Sequence, residues 1–161
     1  MTKTIEKTTT HCLSRKPLMF NPDYWTYLDV PDFATVPKSL FFRPQNLAAR
    51  ETFPLHTHPL NQFVYATSGT VVVAAAGAWY AITPEQAIWV PTGVLHTTGA
   101  LSSTAFRSLF VPDSPALGMP DECTVYAVND LLRTLILELE AAHQRAEPKA
   151  YMDKLKDLMT E

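Results

Sequence analysis

Short hydrophobic runs separated by glycine, proline and serine fill the middle of the chain, between residues 40 and 111. Within several of these runs apolar and polar side chains alternate, which is the period expected of β-strands. The pattern predicts eight strands, at 39–43, 53–58, 62–68, 70–76, 79–82, 87–90, 96–98 and 103–111. Gly69 and Gly77 stand where tight turns would join consecutive strands. Many short strands at close spacing are typical of an antiparallel sandwich or barrel, so we predict an all-β fold.

The two ends of the chain differ from the middle in amino-acid composition. Residues 1–17 are polar, and the next stretch, up to residue 37, is rich in aromatic residues and prolines. Such a stretch breaks helices and long strands and is suited to covering an open end of a barrel. We therefore divide the chain into a leader and covering segment at 1–38, a β-barrel at 39–112, and a loop with C-terminal amphipathic helices at 113–161.

Helical spacing of apolar residues appears only after the predicted barrel. Asn129 predicts the N-cap of a first helix, and Pro148 separates this helix from a second one. The second stripe continues to the last residues without a cap, which predicts that the chain is part of a longer protein. The two stripes are Leu131, Leu132, Leu135, Ile136 and Leu139 in the first helix, and Tyr151, Met152, Leu155, Leu158 and Met159 in the second.

Composition narrows the classes of function. The 161 residues suit one domain, 47% of them are hydrophobic, and the formal net charge is −3 without a run of Lys or Arg. We therefore expect no nucleic-acid binding by this chain itself. Cys12 and Cys123 lie far apart and form no CxxC motif, which favours a reducing compartment over a disulfide scaffold. Neither a signal peptide nor a membrane-spanning run is recognisable, so we predict a cytoplasmic protein without a membrane partner.

Candidate chemistry is concentrated in two segments. His56 and His58 are two residues apart, so both imidazoles would point to the same face of a strand. Gln62 would return to that face on the next strand, and a type I turn with Pro91 at its second position and Gly93 at its fourth would bring His96 inward from another strand. Three imidazoles and an amide oxygen are suitable ligands for zinc, nickel, copper or iron. The alternative is that these residues are interior side chains satisfied by hydrogen bonds.

These segments resemble the two signature motifs of the cupin superfamily. The first motif reads H-x-H-x3-E-x6-G in the family and is matched by His56, His58 and Gly69; the second contains P-x-G-x2-H and is matched by Pro91, Gly93 and His96. Gln62 replaces the usual glutamate ligand, Glu85 the glycine that opens the second motif, and Ala100 its closing asparagine. With Gln62 every protein ligand is neutral, so a bound dication would keep its charge and favour an anionic ligand or an acidified water. The resemblance implies a double-stranded β-helix, or jelly-roll barrel, with C-terminal helices.

A narrower resemblance covers residues 40–140. The runs HTHPLNQFVYATSGTVVV, AIWVPTGVLH, FRSLFV and NDLLRTLILEL are similar to the N-terminal cupin sensor domain of AraC-family transcriptional regulators. This resemblance implies a domain that binds a small-molecule effector or forms a homodimer. DNA would then be bound only through a helix-turn-helix domain outside this chain.

Other residues have two open interpretations. Arg107 would clamp an anionic effector if it faces inward, or lie exposed at a strand edge. Tyr65 and Trp89, with Phe63, Trp79 and Tyr80, would line a ligand pocket or fill the core. We predict no catalytic residue. The alternatives to a sensor are a small metal-dependent enzyme, such as a dioxygenase, isomerase or lyase, and a dimerisation scaffold.

Overall fold

A computed structural model describes residues 20–35 and 39–160 of the chain. Its strands form two five-stranded sheets that pack face to face. The first sheet has the order β1 (Thr26–Tyr27), β3 (Glu51–His56), β8 (His96–Ala100), β5 (Val71–Ala75) and β6 (Ala78–Ile82). The second has the order β10 (Thr124–Ala127), β7 (Gln86–Val90), β4 (Asn61–Ser68), β9 (Thr104–Val111) and β2 (Phe41–Leu47). All pairings are antiparallel except that of β1 with β3.

Alternation along the strands divides the hydrophobic residues into two clusters. One fills the space between the sheets and includes Phe53 from the first sheet and Val64 and Phe106 from the second. The other lies on the outer face of the second sheet, where Trp89 and Leu109 are buried against the C-terminal helices. The second sheet is therefore covered on both faces, which explains why its central strands β4, β7 and β9 are buried along almost their whole length.

Two helices cover that outer face. Helix α1 (Asp130–Gln144) begins at Asn129, whose Oδ1 accepts a hydrogen bond from Leu132 N at 2.8 Å, so the predicted N-cap is confirmed. Helix α2 (Lys149–Thr160) follows Pro148. The buried face of α1 is formed by Ile136, Leu139 and Ala142, and that of α2 by Leu155. Among the described residues, neither helix combines the length and apolar composition needed to cross a membrane.

Comparison with the predicted stripes shows where helical spacing was misleading. Three members of the predicted stripes are exposed and lie outside the core: Leu131 at 68%, Tyr151 at 39% and Leu158 at 56%. Helical periodicity alone cannot separate the buried positions of a stripe from solvent-facing apolar ones, because apolar residues are also common on protein surfaces.

All eight predicted strands are present, with shifted ends. The strand predicted at 39–43 is Phe41–Leu47 and runs through Pro44, which an edge strand tolerates because proline has no N–H to contribute to a ladder. The predicted loop after residue 112 contains strand β10, which pairs with β7. The two sheets are not joined by a ladder among the described residues, so the structure shows an all-β sandwich with C-terminal helices, and the closed jelly-roll barrel stays a prediction. Residues 1–19, which include Cys12, lie outside the described residues, whereas Cys123 is a free thiol.

The surroundings of Gly69 explain why the first motif ends in glycine. Its φ is +80°, and a Cβ added there would come within 2.4 Å of the Ser103 carbonyl oxygen and of Thr104 Oγ1. No other residue type fits this position without moving the start of β9.

Candidate metal and ligand site

Three imidazole rings meet in the space between the sheets. His56 is the last residue of β3 and pairs across the first sheet with His96, the first residue of β8. His58 follows in the turn that leads to β4. The ring centroids of His56 and His96 are 4.4 Å apart, those of His58 and His96 5.0 Å, and those of His56 and His58 5.7 Å. Candidate ligand atoms of the three residues all lie within 4.8 Å of one another, so the predicted convergence is confirmed.

Each ring is oriented by a backbone carbonyl two residues away. In each case Nδ1 lies at hydrogen-bond distance from the carbonyl oxygen, so Nδ1–H donates and the lone pair of the neutral ring is on Nε2. The three contacts are His56 Nδ1 with Pro54 O at 2.7 Å, His58 Nδ1 with Leu60 O at 2.7 Å, and His96 Nδ1 with Val94 O at 2.8 Å. Carbonyl contacts of this kind fix the tautomer of histidines that bind metals through Nε2.

Gln62 supplies the fourth polar atom. Its Oε1 lies 3.1 Å from His58 Nε2 and 3.2 Å from His96 Nε2, and its Nε2 donates to Ser108 Oγ at 2.8 Å. Since the rings carry their protons on Nδ1, this orientation directs acceptor lone pairs of Gln62, His58 and His96 at one another with no proton between them. A cation among them would resolve this conflict. The donor set therefore fits a divalent transition metal.

The same residues also have a metal-free solution. If the Gln62 carboxamide turns by 180°, its NH2 group donates to His58 Nε2 and His96 Nε2, and its oxygen accepts from the Ser108 hydroxyl. A glutamate at this position could not do this at neutral pH, because an ionised carboxylate is only an acceptor. With glutamine in place of glutamate, the cluster is thus compatible with both a metal-bound and a metal-free state.

The turn before β8 holds the cluster together. Val94 N donates to Pro91 O at 3.3 Å, so Gly93 is the third residue of the turn, where its φ of +76° is typical of type II. The prediction had placed Gly93 at the fourth position of a type I turn and was wrong in this detail. Gly93 N also donates to His58 O at 3.1 Å, which ties the turn to the second histidine.

Burial keeps the three rings neutral. Burial lowers the pKa of His96 to about 3, with repulsion from the His56 and His58 charges as further causes. Burial is also the largest cause of the lowered pKa of His56 and of His58. Neutral imidazole is the form that binds metals, so at neutral pH all three rings are in the protonation state that metal binding requires.

Aromatic rings surround the cluster. Phe33, from the segment before β2, and Phe110 both lie near His58, with centroid distances of 5.0 and 5.3 Å. Phe53 lies 6.4 Å from His56. These rings give the polar cluster apolar walls, which is the usual composition of a small-molecule site.

Arg43 is a half-buried residue on the inner face of the second sheet that the sequence analysis missed. It lies on β2 directly opposite Ser108, and its guanidinium carbon is 5.8 Å from the centroid of the Phe53 ring. Phe53 belongs to the core between the sheets, so Arg43 faces the same space as the histidines. The only available signal was its place in a predicted strand, since no motif marks it.

Arg107 faces the other way. It lies on the outer face of the second sheet, where Nε and Nη2 donate to the two carboxylate oxygens of Glu140 on α1 at 2.7 and 2.6 Å. Its Nη1 donates to the carbonyl oxygens of Gln45 and Phe106. Both interpretations from the sequence were therefore wrong about its surroundings, because Arg107 is neither inward-facing nor exposed but buried under a helix.

Tyr65 and Trp89 also lie on the outer face, away from the histidines. Tyr65 donates its hydroxyl proton to Pro84 O at 2.8 Å, and Trp89 donates Nε1–H to Pro120 O at 3.1 Å. Trp89 borders a cavity of about 240 Å³ between the sheet and the helices, which is also lined by Leu40, Phe63, Leu109 and Met119. The structure thus separates the predicted ligand-binding residues Arg107, Trp89 and Tyr65 from the cluster, and their contact with a ligand stays a prediction. Of the other aromatics, Tyr80 packs on the inner core and Trp79 is exposed.

Comparison with known families agrees with this geometry. Residues 45–112 match the family described as "Cupin domain". This segment contains both sheets' central strands and all four residues of the cluster. Over these residues, which are fewer than half of the chain, the chain is similar to the cupin superfamily.

One curated relative is a transcriptional regulator. The chain is 33% identical over 99 residues to "HTH-type transcriptional regulator NimR" of Escherichia coli strain K12. The matched segment is 60% of this chain but only 36% of that relative. The chain therefore spans about a third of the length of the regulator that it matches.

Solved structures with a similar fold include two of ToxT from Vibrio cholerae. Apo ToxT K231A of Vibrio cholerae superposes with a TM-score of 0.58 at 8% identity, over 75% of this chain and 52% of that one. ToxT bound to (E)-4-(8-methylnaphthalen-1-yl)but-3-enoic acid gives a TM-score of 0.51 at 9% identity, over 76% and 54% of the two chains. At these identities the likeness shows the fold alone.

Proposed function

We propose that this chain is the effector-sensing domain of an AraC-type transcriptional regulator and that it holds a small molecule, together with a divalent metal, between its two sheets. The observation that carries the proposal is the convergence of His56, His58 and His96 with Gln62 Oε1 on one buried point. In the jelly-roll barrel that the sequence predicts, this point would lie inside the barrel.

The proposed metal ligands are the Nε2 atoms of the three histidines and Oε1 of Gln62. Bound zinc, nickel or iron would supply positive charge and an open coordination position for an effector. The chain's own contribution is orientation: three backbone carbonyls hold the imidazole rings, and Ser108 holds the amide.

Sensing is favoured over catalysis by where the carboxylates of the barrel segment lie. A metal-dependent enzyme needs a group that transfers protons beside the site. Glu51 accepts a hydrogen bond from Ala48 N at 2.8 Å, and Glu85 is exposed at the turn before β7. Neither of these side chains adjoins the histidines. An enzyme of the dioxygenase, isomerase or lyase type is the second candidate, and a substrate-dependent turnover by the metal-loaded chain would favour it.

The regulator relatives supply the biological context of the proposal. NimR is named a helix-turn-helix regulator, and ToxT has been solved with an organic acid bound. By analogy, the present domain would act in the cytoplasm as a homodimer and pass the state of its site to a DNA-binding domain outside this chain. A gel-shift experiment checks this division of labour: the 161-residue chain should not retard DNA, and sequence-specific retardation would contradict it.

Metal titration tests the site directly. After treatment with chelator, the wild-type chain should bind one Zn²⁺ per molecule in a calorimetric titration, and its Tm should rise with added Zn²⁺. The double variant His56→Ala/His58→Ala should lose both effects. His143→Ala, which removes an exposed histidine from helix α1, is the matched control and should behave as wild type.

The variant Gln62→Glu tests whether residue 62 is a ligand of the metal. A carboxylate adds negative charge to a neutral ligand set, so Zn²⁺ should bind at least about tenfold more tightly. Equal and negligible Zn²⁺ binding by the wild type, by Gln62→Glu and by the double variant would contradict the metal centre.

A further inference from the structure

Arg43 places a positive charge on the inner face of the second sheet. Its neighbour across the β2–β9 pair is Ser108, and its guanidinium lies over the ring of Phe53, which is 5% exposed. The His56 ring also lies near Phe53, with ring centroids 6.4 Å apart, so Arg43 and His56 are both neighbours of the same aromatic ring.

This charge has no carboxylate partner among the described residues. The ion pairs in that part of the chain involve Arg107, Arg145 and Lys149, all of them outside the space between the sheets. Arg43 is partly buried, and burial lowers the pKa of its guanidinium. Placing an unpaired charge in such surroundings is unfavourable unless another group compensates for it.

Stacking on Phe53 compensates only in part. A cation over an aromatic ring contributes roughly 0.5–2 kcal/mol, which is less than a paired carboxylate would provide in the same surroundings. Among the described residues the N–H donors of this guanidinium have no hydrogen-bond acceptor, and because Arg43 is only half-buried they remain accessible to solvent or to a ligand.

Further unpartnered polar atoms lie on the same inner face. Thr98 is 1% exposed, its Oγ1 has no hydrogen-bond partner, and it lies on β8 directly opposite Phe53 and two residues from His96. Ser108 accepts from Gln62, which leaves its own hydroxyl proton available. A guanidinium and two hydroxyl groups form a set of donors, and such a set is complementary to an anion.

We propose that the space between the sheets binds a small organic carboxylate, whose anionic group pairs with Arg43 and whose apolar body lies against Phe53 on the side of the histidines. This inference rests on the proposed ligand-sensing function and names the chemical class of the ligand. The neutral metal ligands agree with it, because a dication that keeps its full charge also attracts an anion.

Paired probes of equal shape test the charge requirement. Binding of 4-fluorobenzoate and of the neutral 4-fluorobenzamide to the full chain is followed by ¹⁹F NMR at pH 7. Wild type should bind the acid at least about tenfold more tightly than the amide, and Arg43→Met should abolish this preference while leaving the affinity for the amide unchanged. Arg43→Lys should keep part of it, and the unchanged binding of the amide by Arg43→Met shows that its loss of preference is not due to misfolding. Arg145→Met removes an exposed arginine on the outside and should bind both probes as wild type does.

Metal binding by the same proteins separates this inference from the proposed function. Arg43→Met should still bind Zn²⁺ as wild type does. If Arg43→Met binds the acid as tightly as wild type, or if wild type shows no preference for the acid up to millimolar concentration, the carboxylate site is refuted even where Zn²⁺ binding persists. If Zn²⁺ binding fails but the preference for the acid depends on Arg43, the inference stands and the metal centre does not.

Discussion

The arginines on the two faces of the second sheet differ in their bonding partners. On the outer face Arg107 forms a bidentate pair with Glu140, and its remaining donors are used by backbone carbonyls. On the inner face Arg43 has an aromatic ring beneath it and no carboxylate among the described residues. The charge of the outer arginine is therefore compensated within the chain, whereas that of the inner arginine has no carboxylate partner among the described residues. The outer pair is expected to contribute stability, and the inner charge is the one that we propose to pair with a ligand.

Breaking the outer pair should have the largest effect on stability. Glu140→Ala leaves Arg107 buried without its carboxylate, which should lower the free energy of unfolding by about 3 kcal/mol in urea denaturation. Glu138→Ala is the matched control on the same helix, because it removes a carboxylate from an exposed pair with Arg145. It should leave the denaturation midpoint unchanged.

Arg43→Met tests whether the inner arginine, unlike the outer one, contributes nothing to stability. Since this substitution removes a charge that has no carboxylate partner in the described structure, stability should stay the same or increase. A loss similar to that of Glu140→Ala would contradict the distinction between the two faces.

Acid should destabilise the protein through the inner cluster. The pKa of His96 is about 3 in the folded protein, whereas an unfolded histidine titrates near its ordinary value of 6.5. Between these two values the unfolded chain binds the extra proton, so stability is complete above pH 6.5 and falls as pH is lowered. At pH 5 His96 alone should lower the free energy of unfolding of chelator-treated protein by about 2 kcal/mol relative to its value at neutral pH.

The variant His96→Gln isolates this contribution. Its stability should decrease less steeply between pH 6.5 and pH 5 than that of wild type, as followed by urea denaturation at each pH. Parallel pH profiles for the two proteins would show that His96 is not held neutral by the fold.

The cap of helix α1 should have a smaller effect. Asn129→Ala removes the acceptor for Leu132 N and should lower stability by about 1 kcal/mol in urea denaturation. Asn129→Asp keeps an acceptor and should be close to wild type. An effect as large as that of Glu140→Ala would mean that the helix depends more on its cap than on its contact with the outer face.

The sequence was most informative where local rules apply. Turn glycines and alternation located the strands, and the spacing of His56 and His58 placed their rings on one face. The cap at Asn129 was likewise readable, because a side chain that bonds three residues ahead is a local feature.

The direction in which residues of the second sheet point could not be derived in the same way. Helices cover its outer face, so Trp89 and Val90 are both apolar and both buried, and alternation no longer distinguishes the two sides. For the same reason Tyr65 and Arg107 were assigned to a ligand site from which the sheet separates them. Arg43 was missed because its inward direction depends on pairing with β9, a contact between residues distant in sequence.

Consecutive residues of β9 connect the two faces over a very short distance. Ser108 orients the carboxamide between His58 and His96, and its neighbour Arg107 holds Glu140 of helix α1. A single peptide unit therefore lies between the hydrogen bonds of the interior and the attachment point of the helix. Because the two groups are joined by one peptide unit, any displacement of this strand would move both of them together.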